Sequence, residues 1–263
     1  MPQDLRYDVA RDQLHPVLQN VLIPFEEDEP LSEFLMDCRA RPHTWLDMAL
    51  LFGLSQITDA YNAHGILGLY PMHLLSTDQW QALVPKRLHG GRLLDIGAGQ
   101  GFVTQYARPL FSTIAAVEVA PSLVRRLAAR GFEAHQADIT EQPDLFPPES
   151  FEVVSLLNVL DRCERPHTLL RHALQFLKPG GVLITADPLP LEQRVRGDVR
   201  APKERLGAHA GTWEECLSDF YTNTLVPNSL TPIAVSRLPY VYKSVDGAGF
   251  EALDDFVIAC RKG

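Results

Sequence analysis

The sequence predicts an α/β chain: a doubly wound, mostly parallel sheet of seven strands preceded by a helical extension. Three observations predict it. From residue 92 onward, short apolar runs of strand length alternate with stretches of helical period, the pattern that pairs strands in parallel through right-handed crossovers. A glycine-rich turn, Gly97-Ala98-Gly99-Gln100-Gly101, follows the first of those runs. The chain has 263 residues, 46% of them hydrophobic, enough for one core and an appendage and too apolar for a disordered segment.

The predicted strands are 92–97 (RLLDIG), 114–119 (IAAVEV), 133–138, 151–157 (FEVVSLL) and 182–186. One intervening helix opens at Pro121, carries Leu123, Val124, Leu127 and Ala128 on one face and stops at Gly131. Another opens at Pro166, carries Leu169, Leu170, Ala173, Leu174 and Leu177 and ends at Lys178-Pro179-Gly180-Gly181. An irregular stretch, 188–212, precedes a helix near 213–225, and strands 233–242 and 255–261 complete the sheet. Before them, residues 1–90 read as helical, and Leu46, Leu50, Leu54, Ile57 and Tyr61 recur at spacings of three and four as one apolar stripe. The expected division is thus a helical extension, 1–90, packed on a core domain, 91–263. The acidic run Glu26 to Glu29 reads either as a solvated linker or as an acidic lip for a basic or His-rich partner.

With 24 Lys and Arg against 33 Asp and Glu, the net charge is -9, and the pI is near 5.4. That balance argues against nucleic acid as the main partner, because phosphate binding needs clustered cations. Cys38, Cys163, Cys216 and Cys260 form no C-x-x-C pair, which suggests a reducing compartment. Residues 1–10 lack the basic-then-apolar order of a signal peptide, and the apolar stretch 48–54 is too short to cross a bilayer, so a cytoplasmic chain without a membrane span is expected. His64 and His73 read as core or surface groups, and no spacing suggests a metal site.

In a doubly wound sheet, ligands bind beyond the carboxyl ends of the strands. The spacing G-x-G-x-G, with Asp95 just before it, suits a pyrophosphate poorly, because the acid repels phosphate but accepts a hydrogen bond from an ammonium group or from ordered water. Glu118 ends the second strand, 19 residues after Gly99, where a carboxylate can accept both ribose hydroxyls. Asp138 ends the third, where it can meet an adenine amino group, with Ile139 beside the ring. Glycines at 97, 99 and 101 together with three acids at successive strand ends fit S-adenosylmethionine, which has an ammonium and no phosphate. The fourth strand ends in Asn158 and Asp161, three residues apart, placed either to handle the methyl acceptor or, for Asp161, to cap the next helix.

These motifs resemble the DREV (methyltransferase-like 9) family of protein-histidine N-pros methyltransferases. The likeness runs from about residue 57 to the C-terminus and is carried by RLLDIGAGQG (92–101), LNVLDRC (157–163), RLPY (237–240) and Leu253-Asp254-Asp255. The glycine loop is generic, whereas L-N-x-L-D-R-C is specific. The resemblance implies a Rossmann-like, seven-stranded S-adenosylmethionine-dependent methyltransferase fold, S-adenosylhomocysteine as product and, as acceptor, a histidine in a His-x-His motif of another protein. It assigns Asp95, Gly97, Gly99, Glu118 and Asn158 to the cofactor and Asp161 to orienting the acceptor. Three departures stand out. Gly68-Leu69-Tyr70-Pro71-Met72 replaces the family's G-R-G-S-M, and Asp138 replaces an asparagine. Phe250-Glu251 replaces paired tyrosines before L-D-D, so that Glu251, Tyr240 or Tyr242 substitutes at the acceptor, or the acceptor differs. The chain's nine histidines include no His-x-His, so automethylation at such a motif is not expected. Two alternatives remain from the residues: methylation of a small molecule, such as a natural product or imidazole dipeptide, and a non-catalytic adenosylmethionine-binding protein.

Overall fold

The computed structural model describes residues 5–195, 201–207, 210–244 and 249–263. The N-terminal part carries α1 (Pro16–Gln19), α2 (Glu29–Ala40), α3 (Trp45–Ser55), α4 (Ala60–Leu67), the two-residue β1 (Met72–His73) and α5 (Thr77–Leu83). Most of these helices begin at a side-chain cap. Asp28 accepts from the Leu31 amide, while Thr44 with Asp47 and Ser76 with Gln79 form reciprocal capping boxes. The acidic run is therefore the start of α2, with Glu27 accepting from the Ser32 hydroxyl at 2.7 Å.

Next come β2 (Arg92–Ile96), β3 (Thr113–Glu118), α6 (Pro121–Ala129), β4 (Glu133–Gln136), β5 (Phe151–Leu157), α7 (Pro166–Phe176), β6 (Leu177–Pro188), α8 (Trp213–Phe220), β7 (Leu230–Lys243) and β8 (Phe250–Lys262). They form one sheet in the order β1-β7-β8-β6-β5-β2-β3-β4. Strands β4, β3, β2, β5 and β6 run parallel, and β8 enters antiparallel between β6 and β7. This is the doubly wound, mostly parallel arrangement expected, with one strand more than seven. The addition is β1, which pairs Met72 and His73 with Tyr242 and Val241 on the outer edge of β7. Further along that edge, Leu22 bridges to Val235, so β7 is covered where it would otherwise template another chain.

Strand limits shift where side chains take over backbone partners. β4 stops at Gln136, not Asp138, because the Asp138 carboxylate turns the chain by accepting from the Thr140 amide at 2.9 Å and its hydroxyl at 2.7 Å. The central strands are buried on both faces. One layer of the core, with Phe151, Phe176, Phe220 and Phe256, packs under α7 and α8; the other, with Trp80, Leu93, Leu127 and Val153, packs under α5 and α6. The apolar stripe expected on α3 is not buried. α3 forms, but Leu46, Leu50 and Ile57 are exposed, together with Trp45 (81%) and Phe52 (71%). Periodicity found the helix and not its covering, since α3 packs chiefly on α4. α4 in turn seats closely on α6, where a Cβ at Gly65 would stand 2.2 Å from Ser122 Oγ, and Asn62 meets the Ser122 amide and hydroxyl. No helix among the described residues is long and apolar enough to cross a membrane.

Asp95, at the end of β2, is locked into the sheet: Ser155 of β5 donates to one oxygen at 2.7 Å and Thr104 to the other at 2.5 Å. Burial pushes its carboxyl up to about 6, with the two hydroxyl bonds pulling the other way.

Two stability predictions follow from this packing. Phe52→Ser should change unfolding free energy by no more than about 0.5 kcal/mol, whereas Trp80→Ala should cost about 3–5 kcal/mol in urea melts. Equal losses would mean that α3 is covered. The folded chain keeps the Asp95 proton to about pH 6, while the unfolded chain releases it near 4. Wild-type stability should therefore fall as pH rises through that window. In thermal melts from pH 4 to 6.5, Asp95→Asn should gain up to roughly 3 kcal/mol relative to wild type; a constant difference would contradict the assignment.

Candidate active site

The glycine turn after β2 works because its residues face different neighbours. A Cβ at Gly97 would lie 2.5 Å from Val159 Cγ2, so this position is kept small by the loop after β5. Gly99, at φ 56°, has open space where its Cβ would be. Gly101 closes the turn by donating to Ala98 O at 2.9 Å. Glu118, buried at the end of β3, binds this turn directly: Oε2 accepts from the Gly99 amide at 3.1 Å and Oε1 from the Val119 amide at 2.7 Å. Burial raises its carboxyl, and the amide bonds restrain that rise.

These residues fit S-adenosylmethionine. The open cradle above Gly99 leaves room for a ligand, and Glu118 puts a carboxylate at its rim where the ribose hydroxyls would be held. Asp138 spends Oδ1 on its turn with Thr140, which leaves Oδ2 outside that turn. Ile139 is buried, and its side chain belongs to the core beneath that loop. Asp95 reaches the site through the loop it anchors, since both of its oxygens already accept hydroxyls.

The second half of the site lies at the ends of β5, β6 and β8. Asn158 leaves β5 in the left-handed region (φ 56°) with its amide bonded to Ala186 O at 2.7 Å. Its Nδ2 donates to Asp255 Oδ2 on β8 at 2.6 Å. Three residues on, in a short 3-10 turn (Leu160–Arg162), the Asp161 amide donates to Asp187 Oδ1 on β6 at 3.1 Å. Three carboxylates thus converge under cover: the Asp187 carboxyl bonds the Asp161 side chain, while Oδ1 of Asp255 and Oδ1 of Asn158 have no protein partner. Asp161 does not cap α7, whose N-cap is Arg165 without a side-chain bond.

Arg162 faces the acids, with Nε 3.5 Å from Asp161 Oδ2 and its guanidinium over the Tyr240 ring at 5.9 Å. Burial alone would lower Arg162, but Asp161, Tyr240, Tyr61 and Asp255 outweigh it and hold the charge. Burial and the neighbouring Asp161 keep the Asp187 carboxyl well above the usual range, and burial does the same for Asp255. Tyr240 is pushed up to about 12 by burial and donates its hydroxyl to Met72 Sδ at 2.7 Å.

Of the sequence-predicted residues, the structure brings Asn158, Asp161 and Tyr240 together. Glu251 instead accepts from Tyr242 at 2.6 Å and Ser244 at 2.8 Å, toward the Tyr70 side of the site. Of the two acids in Leu253-Asp254-Asp255, Asp254 pairs outside the cluster with Arg237 at 2.6 and 2.8 Å, which joins that motif to R-L-P-Y across the β7–β8 hairpin. Sequence reasoning did not place Asp187, Asp255 or Arg162 in the site. The signal for Asp187 was present: it is a fourth acid at a strand end. His73, read as a satisfied group, is buried between the Phe34 and Tyr106 rings with Nδ1 unpartnered, and burial lowers it to about 4. His64 stacks on Tyr70 at 4.1 Å.

Comparison with known proteins bears on this site. Ubiquinone biosynthesis O-methyltransferase of Xanthomonas campestris pv. campestris (strain B100) is 27% identical over 119 residues, 43% of this chain and 50% of that protein. The enzyme of the same name from Xanthomonas oryzae pv. oryzae (strain PXO99A) is 33% identical over 101 residues, 36% and 42% respectively. The chain spans about half the length of the curated relatives it matches or less. Among solved structures, the N-methyltransferase NodS from Bradyrhizobium japonicum WM9 in complex with S-adenosyl-L-homocysteine is similar at 16% identity, covering 89% of this chain and 99% of that one, with a TM-score of 0.48. The [4+2]-cyclase SpnF is similar at 18% identity over 78% and 83%, with a TM-score of 0.47. The DREV methyltransferase family matches residues 7–262, nearly the whole chain. That match over nearly the whole chain gives the identity: this protein belongs to the DREV methyltransferase family.

Proposed function

We propose that the chain methylates the pros nitrogen (Nδ1) of a histidine in a His-x-His motif of another protein, releasing S-adenosylhomocysteine. The observation that carries this reading is Asp161, a carboxylate only 5% exposed, held beside Arg162 and Asp187 in the motif after β5. A neutral imidazole has one N–H and one lone pair, and the nitrogen that keeps the proton cannot attack. Asp161 Oδ1 accepts the tele N–H, which leaves the pros lone pair as nucleophile and offsets the charge that grows on the ring. When bound, the donor supplies a sulfonium methyl group for in-line displacement, so the chain's task is positioning. Asn158 seats the donor's methionine end against the acceptor, Tyr240 with Arg162 walls the acceptor side, and Glu251 lies at its outer margin. Covered acids also favour a partner that brings N–H groups.

A second reading comes from the names of the curated relatives: O-methylation of a small aromatic acceptor such as a ubiquinone precursor. It needs a group to take a phenolic proton, which Asp161 could also serve as.

Incubation with labelled donor should methylate a peptide of alternating His and Ala on the pros nitrogen, as mapped by mass spectrometry and NMR. Methylation of a catechol acceptor alone, with the peptide untouched, would favour the second reading. Asp161→Asn should lower kcat about 100-fold or more with unchanged donor affinity, and full activity would overturn its role. Glu118→Gln should weaken S-adenosylhomocysteine binding by about 10- to 100-fold in calorimetry, and unaltered binding would remove Glu118 from the cradle.

A further inference from the structure

The geometry points to Asp255 as a positioning residue that fixes which end of the Asn158 amide the transfer site meets. An amide carries an acceptor oxygen at one corner and two donor hydrogens at the other, so half a turn about its last bond reverses its chemistry. Nothing in Asn158 itself selects between the two. Asp255 does so in its ionised form, which only accepts, with its Oδ2 2.6 Å from Nδ2. The backbone is fixed as well, by the left-handed φ of 56° and the 2.7 Å bond to Ala186 O. With Nδ2 committed, Asn158 Oδ1, which is buried and without a protein partner, is left to accept an N–H from a ligand. Asp255 is 0% exposed and sits on β8, across the end of β6 from Asn158.

The ligand group that such an oxygen selects is an N–H donor. The donor's methionine ammonium and the backbone amides of an acceptor peptide both supply one, whereas the imidazole's single N–H is already committed to Asp161 in the proposed site. A protonated Asp255 could donate as well as accept, and the amide would then lose its preference. The groups facing Asp255 are Asp161 and Arg162 from the turn after β5, Asp187 from β6, Tyr240 from β7 and Asp254 beside it on β8. Burial first, and Asp161 and Asp254 after it, favour protonation; the Asn158 bond and Arg162 oppose it, and the net direction is upward. Orientation should therefore be lost as pH falls, beginning above the ordinary carboxylate range.

The test uses the full chain, labelled with 15N. The side-chain amide protons of Asn158, assigned with Asn158→Ser, should include one strongly shifted by a carboxylate partner. That shift should disappear on acidification with a midpoint above the usual carboxylate range, and Asp255→Asn should abolish it. In transfer assays, Asp255→Asn and Asn158→Ala should each lose about 10- to 100-fold, with the double variant no worse than the more damaged single one. A rise in the dissociation constant for S-adenosylhomocysteine would identify the donor's ammonium as the N–H; a loss confined to kcat and the peptide KM would identify the acceptor's.

Asn158 protons indifferent to Asp255→Asn, or losses that simply add, would overturn the assignment. Should Asp255→Asn fail to fold, the wild-type titration decides alone, and the absence of a raised midpoint overturns the inference. The kinetic arm rests on the proposed histidine acceptor, whereas the NMR arm needs none. If the wild type leaves the peptide unmethylated while Asn158 titrates as expected, the acceptor reading fails and the role of Asp255 stands.

Discussion

The hydrogen bond from Asn158 to Asp255 joins the two halves of the sheet at the proposed transfer site. β5 belongs to the parallel half, β8 is the antiparallel insertion, and β6 lies between them. Each contributes one polar group at the same level: Asn158, Asp255 and Asp187. Such a meeting is costly, because buried carboxylates resist ionisation and repel one another. It persists because Arg162 supplies a cation, the Asp161 amide binds Asp187 and Asn158 binds Asp255. The oxygens left over are the ones a ligand would satisfy.

On the donor side, the same economy of strand ends operates with different partners. Glu118 is held by amides of the glycine turn and of its own loop, so its orientation is set before any ribose arrives. Asp95 is deeper and braces that turn through Thr104 and Ser155. The two acids, both singled out by sequence, thus divide the work in the proposed site: Glu118 would face the ligand, and Asp95 holds the loop beside it.

Much of this was legible in the chain. Gly97, Gly99 and Gly101 all take positive φ, and β2 to β5 lie close to their predicted positions, whereas β6 begins at Leu177 and runs through the stretch expected to end the preceding helix. Buried parallel strands announce themselves because both faces are apolar. Three things were not legible, each for a physical reason. The stripe on α3 specified a helix, but periodicity cannot say what covers a face, and Trp45 and Phe52 face solvent. β1 is two residues long and is a strand only because the edge of β7 accepts it. The separate fates of Asp254 and Asp255 depend on the register of β7 against β8, a property of two strands and not of either motif.

The most direct test of the account is a high-resolution structure of the complex with S-adenosylhomocysteine and an alternating His-Ala peptide. The account predicts an imidazole N–H within hydrogen-bond distance of Asp161 Oδ1, the pros nitrogen facing the cofactor sulfur, and Asn158 Nδ2 still on Asp255. An imidazole bound away from Asp161, or Asn158 Nδ2 turned from Asp255 toward the ligand, would contradict it.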